Sequence, residues 1–414
     1  MPPRAHAARV RPIDLDLLPI EAAARCRHLK GMVFFDSARE TGDRGQLSVL
    51  AAEPNEIIRG SIDADFGQLQ EAIAQRKVEA VDRGMPTGFA AGWVEYDGAF
   101  CFGMYDQALI YRHEDAAWFE VNDFVDRLSR EPVKGSRGPT PKFERSMSCE
   151  QYCSLVRRAQ EYIAAGDIYQ VNLAHRLAAR WDEKGGEFAF YERLRESSPA
   201  PYGAYLNLDE RTVLSTSPEC FLSMSGDAIC TRPIKGTRPR RPDANADEKS
   251  AYDLITSSKE IAELVMITDL ERNDLGQVCD FGSVRVRELL KLERFEQVFH
   301  LVSTIEGRLA AGMDHVSALR ACFPGGSITG APKKRAREII AELEPIPRGL
   351  YTGALGWFGF NGESRFNIAI RTAVVEQGLA HFHVGAGIVA DSVAEFEWQE
   401  TLDKAAGILL AAGG

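Results

Sequence analysis

The stretch of residues 231–240 contains a lysine, Lys235, among side chains that can change its reactivity. The like-charged side chains around it are Arg232, Arg238, Arg240 and Arg241. Like charges disfavour the ammonium form of lysine, and the neutral amine is a nucleophile. Glu219, upstream in the chain, is a candidate proton partner for this amine. On composition alone, a basic turn that holds a solvated lysine is the simpler interpretation.

Two pairs of glutamates share one spacing, Glu260 with Glu263 and Glu397 with Glu400. Both pairs lie in helical patterns, where residues three positions apart share a face. Two such helices facing each other would gather four carboxylates. Mg²⁺ suits that set, because it takes one or two protein carboxylates and keeps positions for water and an anionic substrate. Either pair alone is more typical of a solvated helix face.

Two glycine-rich segments are candidate anion sites. Residues 323–333 contain Pro332 just before their end. Proline suits the first turn of a helix, and free amides at a helix start bind anions. The loop is not of the Walker A type, because Ala331 stands where a lysine should follow the second glycine. The second segment, residues 385–387, follows Arg371, which ends an apolar strand pattern. An arginine beside exposed amides can clamp a carboxylate.

Two further polar side chains have ambiguous patterns. His300 lies in an apolar run and would by default be a hydrogen-bonded core histidine. Lys404 follows Glu400 by one helical turn, so it would either neutralise that glutamate or contact an anion.

The elements that must position these residues are visible as patterns along the chain. A buried strand is predicted over residues 31–37, a helix over 66–81, and paired strands over 88–104 around the turn at Asp97 and Gly98. Residues 131–142 are rich in proline and glycine and mark the candidate boundary between regions 1–140 and 141–414. A helix follows, and beyond it strands and helices alternate to the C-terminus.

Composition excludes several classes of protein. The chain of 414 residues is 45% hydrophobic and 26% charged, which is typical of a globular protein, and its net charge of −11 argues against a nucleic-acid partner. The eight cysteines are scattered, which favours reduced thiols in the cytoplasm. Apolar runs fall short of the roughly 20 residues that span a bilayer, and residues 1–12 lack the pattern of a signal peptide. A cytoplasmic protein with no membrane or nucleic-acid partner is therefore expected.

Taken together, the motifs resemble those of the chorismate-utilising enzymes, and within that family the aminodeoxychorismate synthases. The segments that carry the resemblance are residues 166–173 (GDIYQVNL), 217–219 (SPE), 233–240 (PIKGTRPR), 269–276 (DLERNDLG), 325–333 (GGSITGAPK) and 385–392 (GAGIVADS). They stand in the family's order, so the resemblance is specific over residues 140–414 and looser before them.

The resemblance implies an α+β fold of large antiparallel sheets stacked face to face, with helices outside and the active site between the sheets. Residues 141–414 would form the chorismate-binding catalytic domain. Residues 1–140 resemble the N-terminal part of anthranilate synthase component I and would add strands to the same body. Relatives keep a tryptophan pocket there, around strands such as residues 33–37, and whether this chain binds tryptophan stays open.

The resemblance also implies a role for each candidate site residue. Glu263 and Glu400 match the direct ligands of Mg²⁺, with Glu260 and Glu397 as supporting acids in the outer shell. The contacts near the metal end of chorismate match Lys404, Thr237 and the amide of Gly236. The clamp on the enolpyruvyl carboxylate matches Arg371, Tyr351 and Gly387, with Gly385 in the same turn. His300 and Ser327 match positions that line the ring pocket, and His300 is also a candidate catalytic residue.

Two positions distinguish the branches of this family. Anthranilate synthases are similar throughout but carry alanine in the place of Lys235. Isochorismate and salicylate synthases carry a water-activating lysine in the place of Gln170, whose amide cannot act as a base. One departure is Leu264, since anthranilate synthases have histidine after the metal-binding glutamate.

The implied activity is that of a magnesium-dependent transferase that replaces the C4 hydroxyl of chorismate by ammonia, on the way to 4-aminobenzoate and folate. Lys235 would be the covalent nucleophile and Glu219 the proton donor. No glutaminase pattern is evident, so a separate glutamine amidotransferase would supply the ammonia. The alternatives are anthranilate synthase component I and a non-catalytic relative that binds chorismate or tryptophan.

Overall fold

Two large antiparallel sheets organise the chain in the computed structural model, which describes residues 9–38, 46–79, 84–131, 138–182, 185–294 and 298–413. The strands are β1 (Val10–Ile13), β2 (Val33–Asp36), β3 (Leu47–Ala51), β4 (Glu56–Ser61), β5 (Phe89–Val94), β6 (Ala99–Tyr105), β7 (Ala108–Arg112), β8 (Ala117–Val121), β9 (Glu144–Arg145), β10 (Gln170–Arg180), β11 (Tyr202–Leu208), β12 (Arg211–Ser217), β13 (Cys220–Ser225), β14 (Ala228–Arg232), β15 (Ile234–Pro239), β16 (Arg285–Arg294), β17 (Val298–Arg308), β18 (Gly330–Ala331), β19 (Ala354–Gly359), β20 (Glu363–Ile368), β21 (Thr372–Glu376) and β22 (Leu379–Ile388). The helices are α1 (Pro19–Cys26), α2 (Phe66–Gln75), α3 (Cys149–Ala164), α4 (Glu187–Ser197), α5 (Ala244–Ile255), α6 (Ser258–Gly276), α7 (His315–Cys322), α8 (Lys333–Leu343) and α9 (Ala394–Ala411).

The strand order mixes early and late parts of the chain. The first sheet runs β1-β8-β7-β3-β2-β11-β12-β21-β22-β10-β18, with β9 beside β10. The second runs β15-β17-β14-β13-β20-β19-β5-β6-β4, with β16 beside β17. Strands from before residue 141 lie in both sheets, as expected of a region that adds to one body. The α+β fold of stacked antiparallel sheets is confirmed.

The core follows the alternation of side chains along the strands. In β22, Phe382 and Val384 pack in the same apolar cluster as residues of α4 and α9, while His383 stacks on Tyr351 on the opposite face. Side chains alternate between the two faces of a strand, so Gly385 and Gly387 follow His383 on the face that carries the site. Because both residues are glycines, this end of β22 carries no side chains on the face that lies toward Lys235 in the second sheet.

Most locally predicted elements are present. The strand expected over residues 31–37 is β2, and the paired strands expected over 88–104 are β5 and β6, with the turn at Asp97 and Gly98. The helix expected over 66–81 ends at Gln75, and its last two predicted residues lie outside the described part of the chain. So do residues 132–137 of the predicted boundary and residues 1–8 of the N-terminus, and the division at residue 140 stays a prediction. None of the helices in the described ranges combines the length and the apolar character needed to cross a membrane.

Candidate functional site

Most of the candidate residues meet where the end of the second sheet approaches β22 and the acidic helices α6 and α9. Lys235, in β15, has its Nζ atom 3.8 Å from Oε2 of Glu263 in α6. A Cβ atom built at Gly387 in β22 would lie 3.8 Å from the same Nζ atom. Residues 385–387 lie inside β22 and not in the turn that the sequence predicted. The lysine therefore stands between the acidic helix and this glycine-rich segment of β22, and its side chain is 16% exposed.

An irregularity in β15 turns Lys235 toward this space. The pairing of β15 with β17 shifts between Lys235 and Thr237, and Gly236 between them has a φ of +71°. Only glycine adopts such a backbone without strain. A Cβ at Gly236 would also lie 2.7 Å from Cδ1 of Leu254 and 3.0 Å from Oε2 of Glu260, so any side chain here would collide with α5 and α6.

The arginines near Lys235 are not an unbalanced positive cluster, which corrects the expectation from the sequence. Three of the four guanidinium groups lie within 4 Å of a carboxylate. Arg232 bonds to Glu293 at 2.7 Å and lies 3.8 Å from Glu288. Arg238 lies 3.5 Å from Glu260, and Arg240 pairs with Asp247 at 2.9 Å. The backbone amide of Arg241 donates to that same Asp247. The partners come from β16, α5 and α6, which the local sequence around Lys235 could not reveal.

Glu219 lies between β12 and β13 and is 5% exposed. The hydroxyl of Ser327 donates to its Oε1 atom at 2.6 Å. Burial raises the pKa of Glu219, although the Ser327 hydrogen bond and the charge of Lys235 act in the opposite direction. A buried carboxyl group with a raised pKa can keep a proton near neutral pH and donate it to a leaving group.

The four predicted metal-binding glutamates lie on α6 and α9. Glu263 and Glu397 are buried, whereas Glu400 is 44% exposed in its side chain and pairs with Lys404 at 2.7 Å. Burial raises the pKa of Glu263, with Lys235 and Lys259 opposing. Burial alone would raise the pKa of Glu400 too, but the charge and hydrogen bond of Lys404 lower it.

The donor set suits a hard cation, but the acids are held by the protein's own cations. Within the described residues, no three His, Cys, Asp or Glu side chains are gathered as metal ligands. Oε2 of Glu397 is buried and has no hydrogen-bond partner in that part of the chain. An unpaired buried carboxylate oxygen is costly, and a divalent ion would satisfy it. The residues present therefore fit Mg²⁺, provided that the carboxylates exchange their lysine and arginine partners for it.

The glycine-rich loop before α8 has a partner that the sequence analysis missed. The amide of Gly326 donates to Oε1 of Glu271 at 2.9 Å, so this amide is not free for an anion. Burial, followed by the charge of Asp274, raises the pKa of Glu271 to about 7. Lys333 pairs with Asp274. The signal was present, because Glu271 and Asp274 repeat the three-residue spacing of the two glutamate pairs.

Tyr351 lies near Gly385 of β22, and Arg371 immediately precedes β21, the strand that pairs with β22. Arg371 follows the end of β20, with a φ of 49°, and does not end a strand as expected. Burial lowers the pKa of Arg371, and the negative charge of Glu219 opposes this shift. The ring of Tyr351 stacks on His383 at 5.5 Å, and its hydroxyl would lie 2.9 Å from a Cβ at Gly385. Burial raises the pKa of Tyr351 to about 12, so its hydroxyl stays a donor.

His300 and Lys404 complete the set. Nδ1 of His300 lies 2.9 Å from the hydroxyl of Thr237 and 3.4 Å from the carbonyl oxygen of Gly236, and the ring is buried. The ammonium of Lys404 donates to the carbonyl oxygen of Gly385 at 2.9 Å. Lys404 thus links α9 to the glycine-rich segment of β22, and it also pairs with Glu400.

Among the described residues, the strands around the predicted tryptophan pocket line a small cavity, and tryptophan binding there stays a prediction. A cavity between β2, β3, β11 and the second sheet has a volume of about 30 Å³ and is lined by residues that include Phe35, Asp36 and Ser37. That is room for about one water molecule.

Comparison with known proteins places this geometry in context. The profile of a family described as chorismate binding enzyme matches residues 32–410. Anthranilate synthase component 1 of Thermus thermophilus is 47% identical over 280 residues, which cover 67% of this chain and 60% of the relative. Aminodeoxychorismate synthase component 1 of Bacillus subtilis is 44% identical over 282 residues, with the same coverage of 67% and 60%. The chain thus spans about three fifths of the length of these curated relatives.

A solved structure shares the fold. Anthranilate synthase component I from Streptococcus pneumoniae matches with a TM-score of 0.77 and 29% sequence identity, covering 90% of this chain and 93% of that one. Relatives of two different activities are therefore similar at nearly the same level, and overall identity does not separate them.

Proposed function

Because the chain belongs to the family of chorismate-binding enzymes, as its motifs predicted, we propose that it converts chorismate and ammonia into 4-amino-4-deoxychorismate. The observation that supports this branch is Lys235, whose Nζ atom lies 3.8 Å from Glu263 and close to Gly387 of β22. Anthranilate synthases resemble this chain but have alanine in that place. A lysine inside the substrate pocket offers a nucleophile that alanine cannot supply.

Nucleophilic catalysis would split a difficult displacement into two easier steps. The neutral amine of Lys235 adds to C2 of chorismate, the ring double bonds shift, and the C4 hydroxyl leaves as water with the proton of Glu219. Ammonia then adds at C4, the double bonds shift back, and the Lys235 amine is expelled. Glu219 takes back the proton that the incoming ammonia loses, so the cycle closes without any further reactant.

The other residues would bind and orient the substrate. Arg371, Tyr351 and the amide of Gly387 would hold the enolpyruvyl carboxylate, while His300 and Ser327 line the ring. Glu263 and Glu400 would hold Mg²⁺ directly, with Glu260 and Glu397 in support, and the bound ion would orient the ring carboxylate and draw electron density toward it. Lys404, Thr237 and Gly236 would contact that same end.

The source of ammonia would be a separate glutamine amidotransferase. The curated relatives are named component 1, which implies a second component in those proteins. The product would serve 4-aminobenzoate and folate synthesis, after a lyase carried by another chain.

A second candidate is the anthranilate synthase reaction, which the 47% identity to the Thermus thermophilus protein supports. Product identification separates the two. Chorismate, magnesium and ammonium should give 4-amino-4-deoxychorismate, with 4-aminobenzoate appearing after a lyase is added. Fluorescent anthranilate as the main product would overturn the proposal.

The role of Lys235 has its own test. Incubation with chorismate and magnesium but without ammonia should accumulate an adduct, which peptide mass spectrometry should locate on Lys235. Lys235→Ala should abolish aminodeoxychorismate formation, and Lys235→Arg should not restore it, because guanidinium keeps its proton. An alanine variant with a near-normal rate would reduce Lys235 to an electrostatic contact and favour direct displacement by ammonia.

A further inference from the structure

Each of the four candidate metal-binding carboxylates has a cation of the protein as its partner. The pairs are Glu263 with Lys235 at 3.8 Å, Glu260 with Arg238 at 3.5 Å, Glu397 with Lys259 at 3.0 Å and Glu400 with Lys404 at 2.7 Å. Lys235 and Lys404 already have places in the proposed reaction, and Arg238 belongs to the basic stretch around Lys235. Lys259 is the member of this set for which neither the motifs nor the proposed chemistry gives a role.

Lys259 connects the two acidic helices. It is the second residue of α6, and its ammonium donates to Oε1 of Glu397 in the first turn of α9. The lysine side chain is 46% exposed, whereas that of Glu397 is 3% exposed. The ammonium therefore reaches inward from the surface, and it can return to water without uncovering apolar core.

The charge of Lys259 acts on more than its nearest partner. Burial alone would lower the pKa of Lys259, but the hydrogen bond to Glu397 and the charges of Glu397, Glu263 and Glu400 raise it. The lysine thus pairs with Glu397 and adds positive charge near Glu263 and Glu400. A divalent ion that entered the same space would meet this positive charge and be repelled by it.

One carboxylate oxygen of Glu397 is available to a further cation. Oε1 accepts from Lys259 and, at 2.8 Å, from the hydroxyl of Ser392. Oε2 is buried and has no partner among the described residues. Lys259 satisfies one oxygen of this carboxylate and leaves the other without a donor, which is the arrangement expected of a counterion that stands in for a larger charge.

We propose that Lys259 is a placeholder cation that neutralises these carboxylates while no metal is bound and withdraws to solvent when a divalent cation binds. Its ammonium then competes with the metal and sets the metal affinity of the site. This inference rests on the proposed function, since it assumes that the four glutamates hold Mg²⁺.

The test is a calorimetric titration of Mg²⁺ into the metal-free protein, without chorismate. Lys259→Met keeps the unbranched chain and removes the charge, whereas Lys259→Arg keeps the charge and serves as the matched control. A half-exposed ion pair has a small interaction energy, so Lys259 competes with the metal only modestly. Removing its charge should therefore tighten Mg²⁺ binding about fivefold. The Arg variant should stay within about twofold of the wild type. Raising the salt concentration should reduce the gain of the Met variant, because exposed charges are screened.

A purely structural role predicts the opposite sign. If Lys259 only ties α6 to α9, its loss loosens the site, so an unchanged or weaker Mg²⁺ affinity in the Met variant overturns the proposal. Lys259→Gln repeats the measurement should the Met variant fail to fold. A wild-type protein that binds no Mg²⁺ also overturns it, together with the metal assignment. The activity proposal is judged separately, by the product formed from chorismate and ammonium.

Discussion

Two groups of carboxylates lie in and beside the candidate site, and they differ in the charge of their hydrogen-bond and ion-pair partners. The group on α6 and α9, which comprises Glu260, Glu263, Glu397 and Glu400, faces lysine and arginine side chains. The second group, Glu219 and Glu271, accepts hydrogen bonds from uncharged donors. Ser327 donates its hydroxyl to Glu219, and Gly326 donates its amide to Glu271.

The difference separates acids suited to bind a cation from acids suited to carry a proton. A close positive charge keeps a carboxylate ionised, and burial among neutral donors favours the protonated form. Glu400 represents the first case, since Lys404 lowers its pKa in spite of burial. Glu219 represents the second, since burial outweighs the opposing contacts and raises its pKa. Glu263 lies between them, because its pKa is raised even though Lys235 is 3.8 Å away.

The largest effect is expected from neutralising the direct metal ligands. Glu263→Gln or Glu400→Gln should abolish turnover, because each change removes a charge and a coordinating oxygen. Glu260→Gln or Glu397→Gln should lower it by about 10–100-fold, as changes in the outer shell usually do. Steady-state rates at saturating magnesium measure the difference. Full activity after exhaustive chelation would refute the metal assignment for all four acids.

A smaller but still large loss is expected at the proton donor. Glu219→Gln keeps the size of the side chain and its contact with Ser327, but the amide cannot donate a proton to the departing hydroxyl. The rate should fall by about 10²–10⁴-fold, the usual contribution of general acid catalysis. Chorismate affinity, measured by fluorescence or calorimetry, should change little. A variant with normal turnover would remove Glu219 from the mechanism.

Local patterns predicted the parts of this arrangement that depend on nearby residues. The hairpin of β5 and β6 follows from two apolar runs around Asp97 and Gly98. The spacing of Glu260 with Glu263 likewise placed both on one face of α6. The order of the sheets could not be obtained in this way, because β2 pairs with β11 across a long stretch of chain, and only the family resemblance anticipated the stacking.

The charge balance of the site was also beyond local patterns. The basic stretch around Lys235 contains four arginines, but their partners, such as Glu293 in β16 and Asp247 in α5, come from elements that only the fold brings near. Lys259 has no signal of its own in the sequence, since its partner Glu397 lies on another helix. Sequence spacing identifies the acids, and tertiary structure decides which of them are neutralised.

The hydroxyl of Ser327 provides a finer test of the proton-donor group. The Ser327 hydrogen bond lowers the pKa of Glu219, so its loss in Ser327→Ala should raise that pKa further. Glu219 acts as an acid in its protonated form, so the rate falls as pH rises through the pKa of Glu219. The alkaline limb of the pH–rate profile should therefore move to higher pH, while the maximal rate falls by about tenfold through lost positioning. Ser392→Ala, which removes a hydroxyl from Glu397, is the control and should leave the limb in place.

The smallest effect concerns Glu271, which has no direct part in the reaction. Its pKa is about 7 in the folded protein, against an ordinary value of 4.5, because of burial and then the nearby Asp274. Between these values the folded state holds a proton that the unfolded state has released. The free energy of unfolding should therefore decrease as pH rises through this window, by about 3 kcal/mol in total.

Glu271→Gln tests this directly, because its amide oxygen can still accept from Gly326 but does not ionise. Urea unfolding at pH 5.5 and pH 8 should show a loss of stability between the two pH values that is about 2 kcal/mol smaller in the variant than in the wild type. Glu338→Gln, at a half-exposed acid paired with Arg335, is the matched control and should keep the wild-type difference. Equal pH dependence in Glu271→Gln and the wild type would mean that Glu271 is ionised across this range. It would then belong with the carboxylates of α6 and α9, and burial among neutral donors would no longer distinguish the two groups.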